Sequence, residues 1–294
     1  MKTRSSLTAE YMALFRALES SRPAGSRLFD DPWAGIFLCG WRKWLHGLAQ
    51  LELGRRLGEW LLDRAAPGAR AAGIARTKWI DDEVVAALKT APQLVLLGAG
   101  FDTRALRLPA AARAITFELD QPETSLAKQA ALRKAMGPLP EQVRLISIDF
   151  KSQSVAEVLT QAGFDRTRPT CFVWEGVTNY LTEDAVDSVL RQIWQTAFES
   201  TLLFTYIDRR VLENPEHFFG AAKLMARLRS YGEPWTFGFC PEELGAYLAA
   251  CGFRLLKDLS VAEVWPRERR SSSGTRGYEF YRLASARAVA KASG

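Results

Sequence analysis

The spacing of hydrophobic positions along the chain changes near residue 90. Before that point apolar side chains recur at helical spacing, as Tyr11, Leu14, Phe15 and Leu18 do. From residue 94 onward they gather into short uninterrupted runs, which are LVLLG, AITFEL, VRLISI, CFVWEG and TLLFTYI. Such runs are typical of strands that are covered on both faces of a parallel sheet. The pattern predicts a helical N-terminal extension over residues 1–90 and one α/β domain over residues 91–294.

Helical segments separate these runs, and two further runs follow them. Residues 124–136, 155–162 and 183–196 are long enough for right-handed crossover helices between parallel strands. The last two runs, residues 255–264 and 277–283, are predicted to pair as a hairpin. We therefore expect a mostly parallel seven-stranded sheet with an antiparallel C-terminal strand.

An aromatic, partly basic insertion follows the fifth run, over about residues 213–239. Its aromatic side chains include Phe218, Phe219, Trp235, Phe237 and Phe239. One interpretation is an apolar lid that folds over a cleft and excludes water. The other is ordinary packing against the rest of the domain.

Charge and cysteine content exclude several classes of protein. Lys and Arg total 39 against 33 Asp and Glu, and this net charge of +6 is too diffuse to predict a nucleic-acid partner. The densest basic stretch, residues 267–276, is broken by serines and a glycine and is predicted to be a solvated loop. The 4 cysteines are far apart, with no CxxC and no nearby histidine, so we expect reduced thiols and no metal site.

No segment of the sequence predicts a membrane association or a secretory leader. The first twenty residues contain Lys2, Arg4, Glu10, Arg16 and Glu19, which interrupt any apolar core of a signal peptide. No later apolar run approaches the roughly 20 residues that span a bilayer. We expect a soluble, cytoplasmic protein.

The end of the first run carries the most specific signal, Gly98-Ala99-Gly100, and Asp120 ends the second run. Glycines let a ligand approach the backbone, and a carboxylate at the next strand end can accept hydrogen bonds from ribose hydroxyls. The third glycine of the dinucleotide fingerprint is replaced by Thr103, so the pattern alone is weak. The alternative is a simple strand-to-helix turn.

Two further acids end the third and fourth runs. Asp149 precedes Phe150, a pair that can hydrogen-bond an adenine amine and pack on its ring, although a helix-capping aspartate beside a core phenylalanine is the alternative. Glu175 ends an otherwise apolar strand, where burial is costly unless the carboxylate meets a cation or hydrogen-bond donors. Because the carboxyl ends of parallel strands share one edge, these acids are expected to face one cleft.

The motifs ARTKWID (residues 75–81), GAGFDTR, FELDQP, SIDF and EGVTNYL occur in this order. Together, over about residues 7–190, they resemble the leucine carboxyl methyltransferase-like branch of the class I S-adenosylmethionine-dependent methyltransferases. This resemblance implies a Rossmann-like class I methyltransferase fold and S-adenosylmethionine as the cofactor. The polyketide carboxyl O-methyltransferases of this branch are similar in size, which implies methylation of a carboxylate on a hydrophobic, polyketide-like acid in secondary metabolism.

The resemblance also assigns residues to the methionine end of the cofactor. Arg76, on the helix before the first strand, is expected to pair with the methionine carboxylate. Gly98 and Gly100 leave space beside the methionine portion, and Glu175 is expected near its amino group. Taken alone, Arg76 is better interpreted as a solvent-exposed helix arginine.

At the adenosine end, the resemblance implies that Asp120 accepts hydrogen bonds from the ribose hydroxyls. Asp149 and Phe150 are expected to hold the adenine.

The acceptor side is less constrained by sequence. A carboxylate is already ionised near pH 7 and needs no general base, which agrees with the scarcity of histidine: His46 and His217 both lie outside the strand-end motifs. No catalytic residue is assigned, and a cation is expected to orient one carboxylate oxygen. The candidates for positioning or binding the acceptor are Arg16, Arg104, Arg209, Tyr180 and Tyr206.

Other functions remain open at this point. Within enzymes they are methylation of a phenol or hydroxyl group, and methylation of a protein C-terminal carboxylate. A regulatory module that binds S-adenosylmethionine or nucleic acid without chemistry is a third. An NAD-dependent oxidoreductase is disfavoured by Thr103, by the acids Asp149 and Glu175 and by the lack of an evident acid for hydride transfer.

Overall fold

The fold was determined as a computed structural model. It describes residues 6–150, 153–196, 199–266 and 276–289. The predicted basic loop therefore lies, apart from Arg276, outside the described residues.

Four α-helices precede the sheet: α1 (Leu7–Ser20), α2 (Gly40–Leu48), α3 (Glu52–Ala65) and α4 (Ala69–Ala87). Helix α1 begins at Ser6, whose side chain accepts a hydrogen bond from the backbone N–H of Ala9 and so caps the helix. The predicted helical character of the first ninety residues is confirmed.

The strands agree closely with the apolar runs. They are β1 (Gln93–Leu97), β2 (Ile115–Asp120), β3 (Val143–Ser147), β4 (Thr170–Trp174), β5 (Thr201–Ile207), β6 (Phe253–Ser260) and β7 (Tyr281–Ala288).

The remaining helices connect the strands. They are α5 (Arg104–Arg107), α6 (Pro122–Met136), α7 (Val155–Gln161), α8 (Glu183–Thr196), α9 (Arg210–Glu213), α10 (Ala221–Tyr231), α11 (Leu244–Ala250) and α12 (Val261–Val264). Short 3-10 helices occur at Ala34–Phe37, Ala111–Arg113, Thr178–Tyr180 and Pro215–His217.

The seven strands form one sheet in the order β3-β2-β1-β4-β5-β7-β6. The pairs among β1 to β5 are parallel, whereas β7 is antiparallel to both β5 and β6. The prediction of a mostly parallel sheet with an antiparallel C-terminal strand is therefore confirmed. Because β1 lies between β2 and β4, the carboxyl ends of these three strands meet at one edge.

The C-terminal hairpin has different bounds from those predicted. The run 255–264 is interrupted at Ser260, which forms a capping box with Glu263 and begins the short helix α12. The second strand starts at Tyr281, not at residue 277, and continues to Ala288. A local helix cap thus overrides the apolar pattern that continues past Ser260.

Apolar side chains cover both faces of the sheet, as alternation along a buried strand requires. On one face Leu97, Phe172 and Phe204 pack with residues of α7, α8 and α11. On the other face Leu94 and Val173 pack with Ile80 and Val84 of α4. Among the described residues no helix is both long and apolar enough to cross a membrane.

Candidate functional site at the carboxyl edge of the sheet

The turn after β1 requires glycine at two positions. Gly98 and Gly100 have φ angles of +65° and +48°, where side chains other than that of glycine are strained. The N–H groups of Gly98 and Ala99 donate to the carbonyl of Leu119, at 2.8 and 3.1 Å, so the turn folds back onto β2. A Cβ at Gly98 would lie 2.5 Å from Cγ2 of Val177. The glycines thus permit a tight turn between the ends of β2 and β4.

Asp120 ends β2 beside this turn. Its carboxylate accepts hydrogen bonds from the N–H of Gly100 and, at 2.7 Å, from the N–H of Gln121. Burial raises the pKa of Asp120 above its usual value, although both N–H donors act in the opposite direction. The half-buried carboxylate keeps lone pairs for further donors.

Glu175, just beyond β4, joins two arginines. One oxygen lies 2.7 Å from Nε of Arg76 and the other 2.6 Å from Nη1 of Arg104. Burial opposes ionisation, but the positive charges of Arg104 and Arg76 outweigh it and lower the pKa of Glu175. The carboxylate of Glu175 therefore stays ionised and ties α4 to the strand end.

Arg104 is fully engaged in this ion-pair network. Its guanidinium also contacts Asp81 at 2.7 Å and Asp102 at 2.5 Å, and the residue is 2% exposed. Because its donors are directed at three carboxylates, Arg104 connects protein elements to one another. The expected role in positioning the acceptor finds no support in this geometry.

Asp149 and Phe150 follow β3, which is separated from β1 by β2 in the sheet. Asp149 is exposed and its N–H donates to Oε1 of Gln153 at 2.9 Å. Phe150 packs against the core cluster that covers one face of the sheet. The carboxylates of Asp120 and Glu175 flank the Gly98 turn, while Asp149 stands one strand further along the edge.

A cavity of about 110 Å³ lies next to Arg76 and Gly176. Helix α1 contributes Thr8, Tyr11, Met12 and Phe15 to its wall. The end of α3, the connection to α4 and α4 itself contribute Leu62, Ala66, Ala69, Ala72, Gly73 and Arg76. The loop after β4 contributes Gly176, Asn179 and Tyr180, and the remaining lining residues are Leu224, Arg227, Leu228, Tyr231, Trp235, Tyr278 and Tyr281.

This cavity is apolar and aromatic, and its charged lining residues, within the part of the chain that the structure describes, are Arg76 and Arg227. No lining residue is an aspartate, glutamate or histidine. Tyr180 contributes a phenol whose pKa burial raises to about 12. The wall therefore favours an anionic or neutral ligand over a cationic one and offers no group that is a base at neutral pH.

Three residues expected on the acceptor side lie elsewhere. Arg16 is buried, with Nε 2.8 Å from Asp31 and Nη2 donating to the carbonyl of Phe101 at 2.5 Å. Nε of Arg209 donates to the carbonyl of Gly238 at 3.1 Å. The phenol of Tyr206 donates to Asp258 at 2.8 Å. None of these three lines the cavity.

The direction of strand residues explains the placement of Tyr206. On β5, Tyr206 belongs to the cluster packed beneath α8 and α11, whereas its neighbour Thr205 points the other way. Oγ1 of Thr205 accepts the N–H of Gly176 at 2.8 Å and lies 3.4 Å from the hydroxyl of Tyr281. Consecutive residues of a strand point to opposite faces of the sheet, so Thr205 faces the site while Tyr206 faces away from it.

Sequence reasoning missed two residues that complete the site. The hydroxyl of Tyr281 accepts a hydrogen bond from Nη1 of Arg76 at 2.7 Å, and the guanidinium lies 5.3 Å from the ring centroid. Arg227, on α10, lines the cavity. The spacing of Leu224, Arg227 and Leu228 is a helical-face signal that points to this position.

The aromatic side chains of the insertion pack in the core and also line the cavity, and the role of the insertion as a lid stays a prediction. Phe237 and Phe239 are buried in the core cluster and have a packing role. Trp235 lines the cavity together with residues of α10. Within the described residues no group of His, Cys, Asp or Glu side chains is arranged to hold a metal ion.

Comparisons with known proteins agree with this architecture. The family model described as leucine carboxyl methyltransferase matches residues 9–194. A relative from Mycolicibacterium smegmatis is 32% identical over 163 residues, and one from Parafrankia sp. is 36% identical over 188 residues. Both are described as S-adenosyl-L-methionine-dependent methyltransferases. The matches cover 55% and 63% of this chain but only 51% and 57% of those relatives, about half of their length.

Solved structures resemble the chain in fold. A methyltransferase from Thermobifida fusca has a TM-score of 0.59 at 20% identity and covers 95% of this chain and 94% of its own. A DUF574 family protein from Streptomyces avermitilis has a TM-score of 0.57 at 14% identity, with coverages of 80% and 90%. With a family match over residues 9–194 and this sheet order, the chain belongs to the leucine carboxyl methyltransferase family and has the Rossmann-like class I methyltransferase fold.

Proposed function

We propose that the protein transfers a methyl group from S-adenosyl-L-methionine to the carboxylate of a hydrophobic small-molecule acid and so forms a methyl ester. The observation that carries this proposal is the composition of the cavity beside Arg76 and Gly176. Its described wall is aromatic and aliphatic, contains two arginines and contains no acid or histidine. Such a wall accepts an apolar anion.

The cofactor of the family fits the residues at the strand ends. A Cβ at Gly100 would have no neighbour closer than Ala9 at 3.6 Å, so the backbone is open to a ligand there. The adjacent Asp120 carboxylate retains lone pairs for ribose hydroxyls. We assign Arg76 and Glu175 to the methionine end of the cofactor, where a guanidinium suits its carboxylate and a carboxylate suits its amino group. Asp149 and Phe150 stay proposed adenine contacts.

Catalysis in this arrangement rests on alignment and exclusion of water. The cofactor supplies an electrophilic methyl group on a sulfonium when it is bound. An ionised acid attacks without loss of a proton, so the absence of a base from the described wall is no obstacle. Tyr180 keeps its proton at neutral pH because burial raises its pKa to about 12, and it is available as a donor. The apolar wall holds the reacting groups in a dry, fixed geometry.

A methyl-transfer assay with isotopically labelled cofactor tests this function. The panel contains hydrophobic aromatic and polyketide-like acids, each with the matched alcohol, phenol and amide. We expect product from the acids alone, and treatment with base should release the label as methanol. A base-stable product from the phenols would instead identify a hydroxyl methyltransferase, and label on a protein C-terminus would identify a protein carboxyl methyltransferase. Either result would overturn the proposal.

A further inference from the structure

Helix α10 presents an arginine to the cavity. Leu224, Arg227, Leu228 and Tyr231 recur at intervals of three and four residues and therefore share one helical face. All four line the cavity. Arg227 is half-buried, whereas its neighbours Ala226 and Arg229 on the helix are exposed.

This guanidinium has no hydrogen bond or ion pair to any residue that the structure describes. Arg76, the other cation of the wall, is held by Glu175 at 2.7 Å and by Tyr281 at 2.7 Å. Partly burying a charge beside aromatic side chains is costly unless an opposite charge or acceptors compensate it. Because Arg76 is assigned to the cofactor, Arg227 is the cavity cation that is available to the acceptor.

Two other polar groups of the wall also lack protein partners. Asn179 and Tyr278 are each 1% exposed, and neither Oδ1 of Asn179 nor the hydroxyl of Tyr278 has a hydrogen-bond partner among the described residues. Buried polar atoms are rarely left without a partner. Both residues line the same cavity as Arg227.

We propose that Arg227 binds the acceptor carboxylate and selects small aromatic carboxylic acids over neutral analogues. This inference rests on the proposed carboxyl methylation and adds the residue that decides acceptor charge. The guanidinium engages one carboxylate oxygen and leaves the other for attack on the methyl group. The aromatic side chains of Tyr11, Phe15 and Trp235 in the wall accept the aromatic body.

Steady-state kinetics with the best acid of the panel test the inference. Arg227→Gln should raise the KM for the acid about 10- to 100-fold, the loss expected for a charged hydrogen bond. The affinity for S-adenosylhomocysteine, measured by calorimetry, should not change. Arg227→Lys should recover part of the loss. The matched control is Arg229→Gln, two residues along the same helix, because Arg229 is exposed and does not line the cavity.

A second measurement separates charge recognition from a structural effect. The neutral amide of the acid should inhibit the wild type and Arg227→Gln equally, whereas a merely distorted cavity would weaken both ligands. Should Arg227→Gln not fold, Arg227→Met provides the same comparison. An unchanged KM for the acid, or an equal loss for acid and amide, would overturn the role of Arg227 while leaving carboxyl methylation intact. Failure of the wild type to methylate any acid would overturn both.

Discussion

At the scale of single residues, the surroundings of Asp120 and Glu175 shift the pKa values of these two carboxyl groups in opposite directions. The pKa of Asp120 is raised by burial, whereas the pKa of Glu175 is lowered because the charges of two arginines outweigh burial. Asp120 ends β2 and Glu175 directly follows β4, so the two acids lie at neighbouring strand ends. Their partners, backbone N–H groups for Asp120 and guanidinium groups for Glu175, make the difference.

The raised pKa of Asp120 leads to a prediction for cofactor binding. Asp120→Asn should weaken binding of S-adenosylhomocysteine about tenfold or more, because the ribose hydroxyls lose a charged acceptor. Protonation has the same effect in the wild type. Because the pKa lies above the usual aspartate value of 3.8, wild-type affinity should begin to fall at a higher pH than for an ordinary aspartate. The affinity of the variant should not show this step.

Calorimetry across acidic pH checks both statements. The control is Asp184→Asn, since Asp184 is exposed in the first turn of α8 and far from the glycine turn in sequence and topology. Equal affinities for the wild type and Asp120→Asn would remove Asp120 from the proposed cofactor site.

The arginines show that residue type alone does not predict which side chain is available to the acceptor. Arg16, Arg104 and Arg209 are plausible carboxylate ligands by residue type, but protein acceptors engage all three. Of the two arginines that line the cavity, Arg227 is the one whose guanidinium has no hydrogen bond or ion pair to a described residue. Its availability depends on which partners surround it, and residue type does not encode that.

At the scale of elements, the turn from β1 to α5 brings three strand ends together. Its glycines bend the chain tightly enough for the N–H groups of the turn to bond the carbonyl of Leu119 and for Val177 to contact Gly98. The apolar runs and the glycines are local features, so their order along the chain predicted this turn correctly.

The turn gives a prediction for stability. Gly98→Ala should lower the free energy of unfolding by about 2–5 kcal/mol, because the positive φ is strained for alanine and the new Cβ meets Val177 at 2.5 Å. Gly47→Ala is the matched control. Gly47 lies in α2 with nothing within 4 Å of an added Cβ, and the change should stabilise by about 0.5–1 kcal/mol.

Urea unfolding monitored by circular dichroism measures both variants under one set of conditions. A Gly98→Ala protein as stable as Gly47→Ala would contradict the described turn geometry.

At the scale of the whole molecule, the cavity is assembled from segments that are distant in the sequence. Helix α1, helix α4, the loop after β4, helix α10 and the start of β7 each contribute part of its wall. The proposed cofactor residues lie between Arg76 and Glu175, whereas the proposed acceptor wall spans the chain from Thr8 to Tyr281. The proposed cofactor residues thus come from a shorter stretch of the chain than the residues of the proposed acceptor wall.

Because the proposed site is assembled only in the folded protein, cofactor binding should raise the free energy of unfolding. A ligand that binds only the folded state at 100 times its Kd adds about 2.7 kcal/mol to the free energy of unfolding. S-adenosylhomocysteine should raise the melting temperature in a concentration-dependent manner. NAD at the same concentration should not, because Thr103, which replaces the third fingerprint glycine, is fully buried and bonded to Asp31 at 2.7 Å. A shift with NAD alone would favour the oxidoreductase alternative.

The fold was predictable to a large extent because its signals are local. The five apolar runs match β1 to β5 within a residue or two, and the crossover segments match α6, α7 and α8. The hairpin was predicted with wrong bounds because the Ser260 capping box ends the strand early. The candidate cofactor residues came from a resemblance in ordered motifs, and Asp120 and Glu175 do flank one glycine turn.

The sequence by itself determined the order of strands and helices, the glycine turn and the acids at the strand ends, because these depend on backbone geometry and burial within short segments. Only the tertiary structure decided which face Tyr206 occupies, which arginines are already paired and how α1, α4 and α10 enclose one cavity. Side-chain direction and ion pairing depend on contacts between residues far apart in the chain, and no local pattern encodes those contacts.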